Sequence, residues 1–424
     1  MRVFISGLLT LAVATVGCDD GDNGGGAGGA GGGGQVDGGG GQVDGGGGQV
    51  DGGGGQAGGG GGQPDAGAPS ALTVATYNAG LAEGFVDYAA QRATPVAQAL
   101  AGLDLDIVCL QEVWSVASRE EVEAAAAARY PHTFNIPADA GMCAGSACGA
   151  EETDNLVQCV EPACSEVPPD MLVGCATDNC GDQVNALSPS CITCISMNIG
   201  KTLDEMVDAC GPDAGARGCY AYEGSFGTDI LSRFPLADTD ALVFESSLNR
   251  RAVLYAKATG TPFGDVHVFC THLTANLSQV PYPGDAGSWG AEQAAQITAM
   301  RAFIDQKAGA DGNVVVLGDM NCGPGVEGKA EAELVENYQA LIPGFDVSWP
   351  TQADADCTFC GDNPLVGGVD RSHSVLLDHI LTRGFGEAAA TASRIMDGPL
   401  TLDVDGMQVP SAYSDHYGLK VRIE

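Results

Sequence analysis

The chain has 424 residues and a formal net charge of −37 at pH 7. A protein this acidic gains no affinity for nucleic acid from its overall field, which argues against tight DNA binding. A nuclease is not excluded, because a metal ion in its site would supply local positive charge.

The first 18 residues have the pattern of an export signal. Arg2 precedes an apolar run from Val3 to Val16, which is shorter than the roughly 18–20 residues of a membrane span. The run ends before Cys18 and resembles a bacterial lipoprotein signal, with Thr15 where that pattern prefers leucine. We predict a lipidated Cys18 and a protein anchored at the outer membrane or cell surface. Ordinary signal cleavage, giving a secreted protein, is the alternative.

Residues 19–70 are predicted to form a flexible linker. The sequence Gly-Gly-Gly-Gly-Gln-Val-Asp occurs three times in succession, at 31–37, 38–44 and 45–51. A segment with so little apolar content stays solvated, and fifty such residues would hold a domain about 40 Å from a surface. A repeat without any role is the alternative.

Ten of the 16 cysteines lie in a predicted insertion at 139–220. Cys143, Cys159, Cys175 and Cys191 recur every 16 residues, and each is followed by a second cysteine five residues later, or three in the last copy. Bulky apolar residues are sparse here, so cross-links are expected to replace a core. In an exported protein the default is five disulfides, and a zinc cluster is the alternative.

The remaining cysteines lie outside this insertion. Cys109 and Cys270 fall within apolar strands and are predicted to be small core residues. Two of Cys322, Cys357 and Cys360 are expected to pair and brace a loop.

Residues 71–424 alternate predicted strands and helices, as expected of one large α/β domain. The predicted strands are 72–78, 106–112, 228–233, 252–258, 266–272, 313–321, 374–381 and 417–423. The predicted helices are 87–100, 119–129 and 291–308. Strands in both halves, with helices between them, predict a four-layer α/β sandwich in which helices flank two packed β-sheets.

Polar side chains stand at or beside the ends of several of these strands. They are Asn78, Glu112, His272, Asp319 with Asn321, Asp378, and Asp415 with His416. Buried strands rarely finish so consistently in amides, acids and imidazoles unless their ends converge on one polar site. The sequence therefore predicts a single site lined by these residues.

Seven short motifs, in order, resemble those of the endonuclease/exonuclease/phosphatase superfamily, the fold of deoxyribonuclease I and the bacterial neutral sphingomyelinases. The motifs are Thr76-Tyr77-Asn78, Leu110-Gln111-Glu112, Leu231 to Pro235, Thr271-His272-Leu273, Gly318 to Asn321, Asp378-His379-Ile380 and Ser414-Asp415-His416. They span residues 72–424 apart from the insertion. The resemblance implies a metal-dependent hydrolase of phosphoester bonds.

Hard oxygen ligands suit Mg²⁺, with Mn²⁺ or Ca²⁺ as alternatives. Glu112 is the first choice as a ligand, with Asp415 and the Asn78 amide near it. Asn321 is able to donate to a phosphate oxygen, while Asp319 only accepts and would orient or deprotonate the attacking water.

His416 suits general-base work, and the resemblance implies that Asp378 orients its ring. His272 would face the phosphate or the leaving oxygen as a donor, and the division of acid and base between the two histidines and Asp319 stays open. Arg233 is a candidate substrate-binding residue, with a structural ion pair as an equal alternative. For Arg251 a structural ion pair is favoured.

Each of these residues also has a structural interpretation. Glu112 would then cap a strand, Asp319 and Asn321 would form an Asx turn, and Asp378 would pair with His379 or Arg383 on the surface.

The substrate is not determined by these residues. A secreted deoxyribonuclease-like enzyme and a sphingomyelinase-like or phospholipase C-like enzyme both fit, whereas an inositol phosphatase lacks a cluster of basic residues to hold several phosphates. A non-catalytic, surface-tethered binding module on the same scaffold is the alternative from another class. We expect a monomer that contacts a membrane through its lipid anchor and has no stable protein partner.

Overall fold

The computed structural model describes residues 71–143, 145–277, 282–348, 357–366, 374–386, 388 and 390–424. The predicted leader (1–18), with Cys18, and the predicted linker (19–70) lie outside the described residues, so these assignments stay predictions. Within the described part of the chain, no helix is both long enough and apolar enough to cross a membrane.

The strands among these residues are, in chain order, β1 (Leu72–Leu81), β2 (Ile107–Val113), β3 (His132–Phe134), β4 (Asp229–Ser232), β5 (Leu236–Val243), β6 (Ala252–Thr261), β7 (Gly264–His272), β8 (Asn313–Asp319), β9 (Asp346–Val347), β10 (Asp378–Arg383), β11 (Ala390–Ile395), β12 (Leu400–Val404), β13 (Met407–Ser411) and β14 (Gly418–Ile423). The helices are α1 (Ala89–Gly102), α2 (Val116–Ala126), α3 (Ala150–Cys164), α4 (Leu172–Asn179), α5 (Gly181–Asn185), α6 (Pro189–Met197), α7 (Leu203–Cys210), α8 (Trp289–Ala308) and α9 (Val335–Leu341).

The strands form two six-stranded sheets and a separate β12–β13 hairpin in the described chain. The first sheet has the order β11-β14-β1-β2-β4-β3, and the second has the order β5-β6-β7-β8-β10-β9. β1 pairs with β2 in parallel, as β7 does with β8, and the other neighbours are antiparallel. The parallel pairs bring the C-terminal ends of consecutive strands to one edge of each sheet.

Alternate residues of β1 face different cores, as the two-residue period of a strand requires. Leu72 and Val74 pack between the two sheets, against side chains of β7 and β8. Ala75 and Tyr77 face the other way and pack under α1 and α2. The outer face of the second sheet is covered by α8 and α9. The predicted four-layer sandwich is confirmed.

A disulfide joins the two sheets through their shared core. Cys109 of β2 and Cys270 of β7 are fully buried and bonded to each other, at a sequence separation of 161. They are core residues as predicted, but the disulfide between them was not predicted, because the packing of one sheet on the other brings together strands that are remote in sequence. Cys357 pairs with Cys360 as expected, and Cys322 is free and buried.

The insertion is helical, with α3 to α7 cross-linked by disulfides. Its ten cysteines form the five pairs Cys143–Cys219, Cys148–Cys191, Cys159–Cys180, Cys164–Cys175 and Cys194–Cys210. Five disulfides were predicted and are confirmed, and they leave no thiolate in this segment for a zinc cluster. The pairs Cys159–Cys180 and Cys164–Cys175 join the second and third copies of the repeat across α3 and α4.

Candidate active site

Neighbouring strands of the second sheet place three polar residues side by side. His272 at the end of β7 lies opposite Asp319 of β8, and Asp378 of β10 lies opposite Asp319 on the other side. Side chains of cross-strand partners project to the same face of a sheet. All three are at most 2% exposed, so the sheet register alone assembles a buried acid–imidazole–acid row.

The first sheet contributes the opposing residues. Asn78 of β1 pairs with Gln111 of β2, which places the neighbouring Glu112 at the same edge. β14 pairs with the other side of β1, so the segment just before it delivers Asp415 and His416 there as well. Glu112 has a left-handed backbone with φ of 56°, a conformation that non-glycine residues rarely adopt outside constrained sites.

The carboxylate of Asp319 connects the two sheets. Its Oδ2 accepts a hydrogen bond from Asn78 Nδ2 at 2.9 Å and lies 3.5 Å from His272 Nε2 and 3.9 Å from His416 Nε2. Its Oδ1 accepts from the backbone N–H of Asn321 at 2.9 Å. The turn considered as a structural alternative is therefore present, and it fixes the same carboxylate against both histidines.

His416 is held by Asp378 on its far side. Its Nδ1 lies 2.8 Å from Asp378 Oδ2, and both groups are buried. Burial opposes protonation of the ring, but the carboxylates of Asp378 and Asp319 outweigh it and raise the pKa of His416 well above its usual value. Burial also raises the pKa of Asp378 to about 6, with Asp319 adding to the effect. Asp378 is thus not a surface partner of Arg383.

His272 has the opposite electrostatic environment. Burial, followed by the positive charges of Arg251 and His416, lowers the pKa of His272 well below its usual value. Its Nδ1 is buried without a hydrogen-bond partner among the residues described. The pKa values of the two imidazoles beside Asp319 are therefore shifted in opposite directions, which suits a division between acid and base.

Glu112 and Asp415 form an acidic pair at the mouth of the site. Burial, then the neighbouring Asp415 carboxylate, raises the pKa of Glu112 to about 7. Asp415 is packed against Gly80, where a Cβ atom would come within 2.4 Å of Asp415 Oδ1. The two carboxylates repel each other electrostatically, and their donor atoms are all oxygens. A hard divalent cation is the kind of ligand that suits such a pair.

The side-chain amides of two predicted site residues, Asn78 and Asn321, make further hydrogen bonds in this network. Asn78 uses its Oδ1 to accept from the Gly80 backbone N–H, so its carbonyl keeps one lone pair free. Asn321 donates from Nδ2 to the Leu273 carbonyl, which leaves its second amide hydrogen free. Asp319, Asp378 and His416 form a buried group whose possible ligand atoms all lie within 4.8 Å of one another.

Buried polar side chains of α8 form hydrogen bonds with the loops that carry site residues. Gln293 donates to the carbonyls of Thr274 and Asn321, and Glu292 accepts from the Thr274 hydroxyl. Gln296 exchanges two hydrogen bonds with Thr274. These contacts tie the loops after β7 and β8 to a helix and so fix the positions of His272 and Asn321.

Arg233 does not belong to the site. It forms ion pairs with Asp104 and Asp106, and the preceding Ser232 is paired with Ile107 at the start of β2. Five residues of strand separate that point from Glu112, or about 17 Å. Of the two roles considered for Arg233, the structure shows the structural ion pair and places the side chain away from the other candidate site residues, because β4 runs antiparallel to β2 and ends at the opposite edge.

The sequence interpretation assigned Arg251 to a structural ion pair, and the structure places it beside the site. Its guanidinium is buried near Glu112 and Asp319, and its Nη1 has no hydrogen-bond partner in the described chain. It lies 5.6 Å from the ring of Trp114, which lies 6.1 Å from the His272 ring. The sequence offered one indication of this position. Arg251 directly precedes β6, and because β6 runs antiparallel to β7, the start of β6 lies at the edge where β7 ends.

Trp114 and Tyr222 form an aromatic wall next to these residues. Their rings stack with centroids 4.9 Å apart, and the Tyr222 hydroxyl donates to the Glu83 carbonyl. Tyr222 follows directly on the cysteine-rich insertion, so the insertion is anchored at the edge of the site. No sequence pattern indicated this pair, because its members are more than a hundred residues apart.

A family profile described as the Endonuclease/Exonuclease/phosphatase family matches residues 75–416, from β1 through His416. The chain belongs to this family. Membership accounts for the order in which the strand-end motifs occur along the chain. No match is found among curated protein sequences.

Solved structures with this fold are similar at low sequence identity. The protein SmcL superposes with a TM-score of 0.51 at 14% identity, covering 84% of this chain and 100% of that one. Beta toxin from Staphylococcus aureus gives 0.50 at 14% identity, covering 82% of this chain and 99% of that one. A beta toxin double mutant with bound magnesium ions gives 0.50 at 13% identity, covering 82% and 98%. At these identities the likeness shows the fold.

Proposed function

We propose that this endonuclease/exonuclease/phosphatase family member is an exported, metal-dependent phosphodiesterase. The observation that carries the proposal is the carboxylate of Asp319, placed within 4 Å of the two buried imidazoles of His272 and His416. Such an arrangement serves to move protons at a reacting centre, and a binding module has no need of it.

The reaction that fits is hydrolysis by attack of water on phosphorus, in line with the leaving oxygen. Asp319 accepts a hydrogen bond from the water and orients it. One histidine takes the proton of the water as the new P–O bond forms, and the other protonates the leaving oxygen as the old bond breaks. Asp378 fixes the orientation of the His416 ring. Asn321 donates its second amide hydrogen to a phosphoryl oxygen.

Glu112 and Asp415 are the residues we propose to hold Mg²⁺, with the free lone pair of Asn78 Oδ1 beside them. Mn²⁺ or Ca²⁺ would suit the same oxygen donors. A cation held by these residues would polarise a phosphoryl oxygen and offset charge in the transition state.

A zwitterionic phospholipid is the substrate class that we propose first, and nucleic acid second. The net charge of −37 repels a polyanion and leaves a zwitterionic head group unaffected. Lipidation at Cys18 would hold such an enzyme at a membrane surface. Seven disulfides in the described chain support export, since disulfides persist in oxidising compartments.

The test is hydrolysis by the full chain of sphingomyelin, plasmid DNA and bis-p-nitrophenyl phosphate, with and without Mg²⁺. We expect turnover that EDTA abolishes and that Glu112→Gln and His416→Ala each lower by about 10²–10⁴-fold. The matched control is His267→Ala, since His267 lies on β7 away from the site and contacts Tyr255. Folded, Mg²⁺-loaded protein without turnover on any substrate would leave the binding-module alternative.

A further inference from the structure

The cysteine-rich insertion contains an apolar pocket that is separate from the candidate active site. The pocket has a volume of about 190 Å³ and lies among α3, α4, α5, α6 and α7. Its walls are mainly aliphatic, with Leu156, Val160, Leu172, Ile195 and Met206 among them. None of the described residues that line it carries a charge, in a chain of which 17% is charged.

The pocket exists because the insertion has two small cores instead of one. The first core surrounds Cys148, Cys191, Cys194 and Cys210, and the second surrounds Cys164 and Cys180. Leu156 and Ile195 contact both cores, so the pocket lies between them. Because disulfides fix the helices on each side, the helices are not free to close over the space, as an ordinary close-packed interior would.

The pocket is accessible from solvent. Val157, Val173 and Ile192 line it and are only half-buried. Aliphatic side chains that remain partly exposed around a concave site are typical of a ligand-binding surface. A fully closed void of this kind would be expected to stay empty of water and to be inaccessible to ligand.

The charge of the insertion restricts the ligand. Residues 139–220 contain thirteen Asp and Glu against two Lys and Arg. An anionic ligand such as a fatty acid would bring its carboxylate into this negative field, which opposes binding. An alkyl chain with an uncharged or zwitterionic head meets no such repulsion and gains from burial of its methylene groups.

We infer that this pocket binds the end of one alkyl chain of an uncharged or zwitterionic amphiphile. Its volume is somewhat larger than the roughly 150 Å³ of an apolar cavity that takes up benzene. By that comparison the pocket has room for about seven carbon atoms. The insertion is then a lipid-binding element, and this assignment stands whether or not the proposed phosphodiesterase activity is found.

The experiment uses the disulfide-bonded full chain with ¹³C-labelled methionine methyl groups. 1-Heptanol is the probe, and heptanoate at pH 7.5 is the anionic control of equal chain length. We expect 1-heptanol to shift the ε-methyl resonance of Met206 saturably, and to leave unchanged those of Met300 and Met320, which are buried in the core between α8 and the second sheet. Heptanoate should bind at least about tenfold more weakly, because its charge is repelled.

A pocket-filling variant provides the second arm. Ala176 lines the pocket, so Ala176→Phe should weaken 1-heptanol binding at least about tenfold, and Ala176→Leu by a smaller factor that remains measurable if the phenylalanine variant does not fold. Ala163→Phe is the matched control, because Ala163 is an exposed residue of α3 that does not line the pocket. Absence of a saturable Met206 shift, equal binding of heptanoate, or unaltered binding by both Ala176 variants would overturn the inference.

Discussion

Arg251 is a buried cation whose charge is not neutralised by direct ion pairing in the described chain. Burying an unpaired charge is costly, and such a residue usually has a role that offsets the cost. Its Nη1 lies without a partner near the acidic residues of the site, where a phosphate group would complete its hydrogen bonds. At the scale of single residues, this is the site feature that the strand-end motifs did not include.

Arg251→Met should therefore lower kcat/KM for a phosphodiester by about 10–100-fold, because one charge-assisted hydrogen bond contributes about 1.5–3 kcal/mol. Steady-state kinetics with Arg233→Met as the control provide the measurement, since Arg233 forms ion pairs at the opposite sheet edge. A loss of equal size in both variants would show that Arg251 acts through stability alone.

Asp229, outside the candidate site, is a buried carboxyl group that lowers the stability of the fold at neutral pH. It is 1% exposed on β4, where its carboxylate lies beside the side chains of Glu123 and Asn135. Burial, then the nearby Glu123, raises the pKa of Asp229 well above its usual value. The folded chain therefore retains a proton on Asp229 at pH values where the unfolded chain has lost it.

The sign of the linkage follows from that raised pKa. Stability falls as the pH rises from about 4 toward the folded-state pKa, since the unfolded state is the first to ionise. Asp229→Asn should raise the free energy of unfolding at pH 7.5 by about 1 kcal/mol or more, with a gain that disappears near pH 4. Urea unfolding at both pH values tests this, with exposed Asp311→Asn as the control. A gain independent of pH would contradict it.

At the scale of elements, most of the strands that carry the site were predictable and several that do not were missed. β2, β7 and β8 are apolar runs with polar ends, a pattern that a buried strand dictates locally. β5 and β12 are largely exposed or half-exposed and lack an apolar period. Their pairing is determined by neighbouring strands, so the sequence alone does not reveal them.

Gly80 connects β1 with the loop that bears Asp415. Its φ of 55° favours glycine, and a Cβ atom there would come within 2.4 Å of Asp415 Oδ1, so a larger residue requires the Asp415 side chain to move. Gly80→Ala should displace Asp415 and lower activity and apparent Mg²⁺ affinity by at least about tenfold.

Gly264→Ala is the matched control for that substitution. Gly264 has a φ of 77°, and a methyl group at its Cα would have no other atom within 4 Å, so alanine costs only backbone strain. That strain amounts to about 1–2 kcal/mol. Mg²⁺ titrations of activity should separate the two variants. Equal Mg²⁺ dependence in both would argue against a ligand role for Asp415.

At the scale of the whole molecule, the disulfides differ in how much of the chain they restrain. Cys109–Cys270 closes a loop of 161 residues and joins the two sheets, whereas Cys357–Cys360 closes a loop of three. The entropy removed from the unfolded chain grows with loop length.

Cys109→Ala with Cys270→Ala should therefore lower the free energy of unfolding by about 2–4 kcal/mol, and Cys357→Ala with Cys360→Ala by clearly less. Denaturant unfolding of the two double variants, under conditions that keep the other disulfides intact, provides the comparison. A larger loss from the short loop would show that local packing around Tyr417 outweighs chain entropy there.

The sequence by itself determined the family, the sandwich of two sheets and the polar residues at the strand ends. Buried strands are apolar, so polar side chains at their ends stand out in the sequence. It also indicated five disulfides in the insertion, since ten regularly spaced cysteines lie in one stretch. Only the tertiary structure decided which cysteines pair, that Arg251 and not Arg233 lies beside the site, and that Asp319 connects the two histidines. These depend on strand register and sheet packing, which join residues hundreds of positions apart and leave no local pattern.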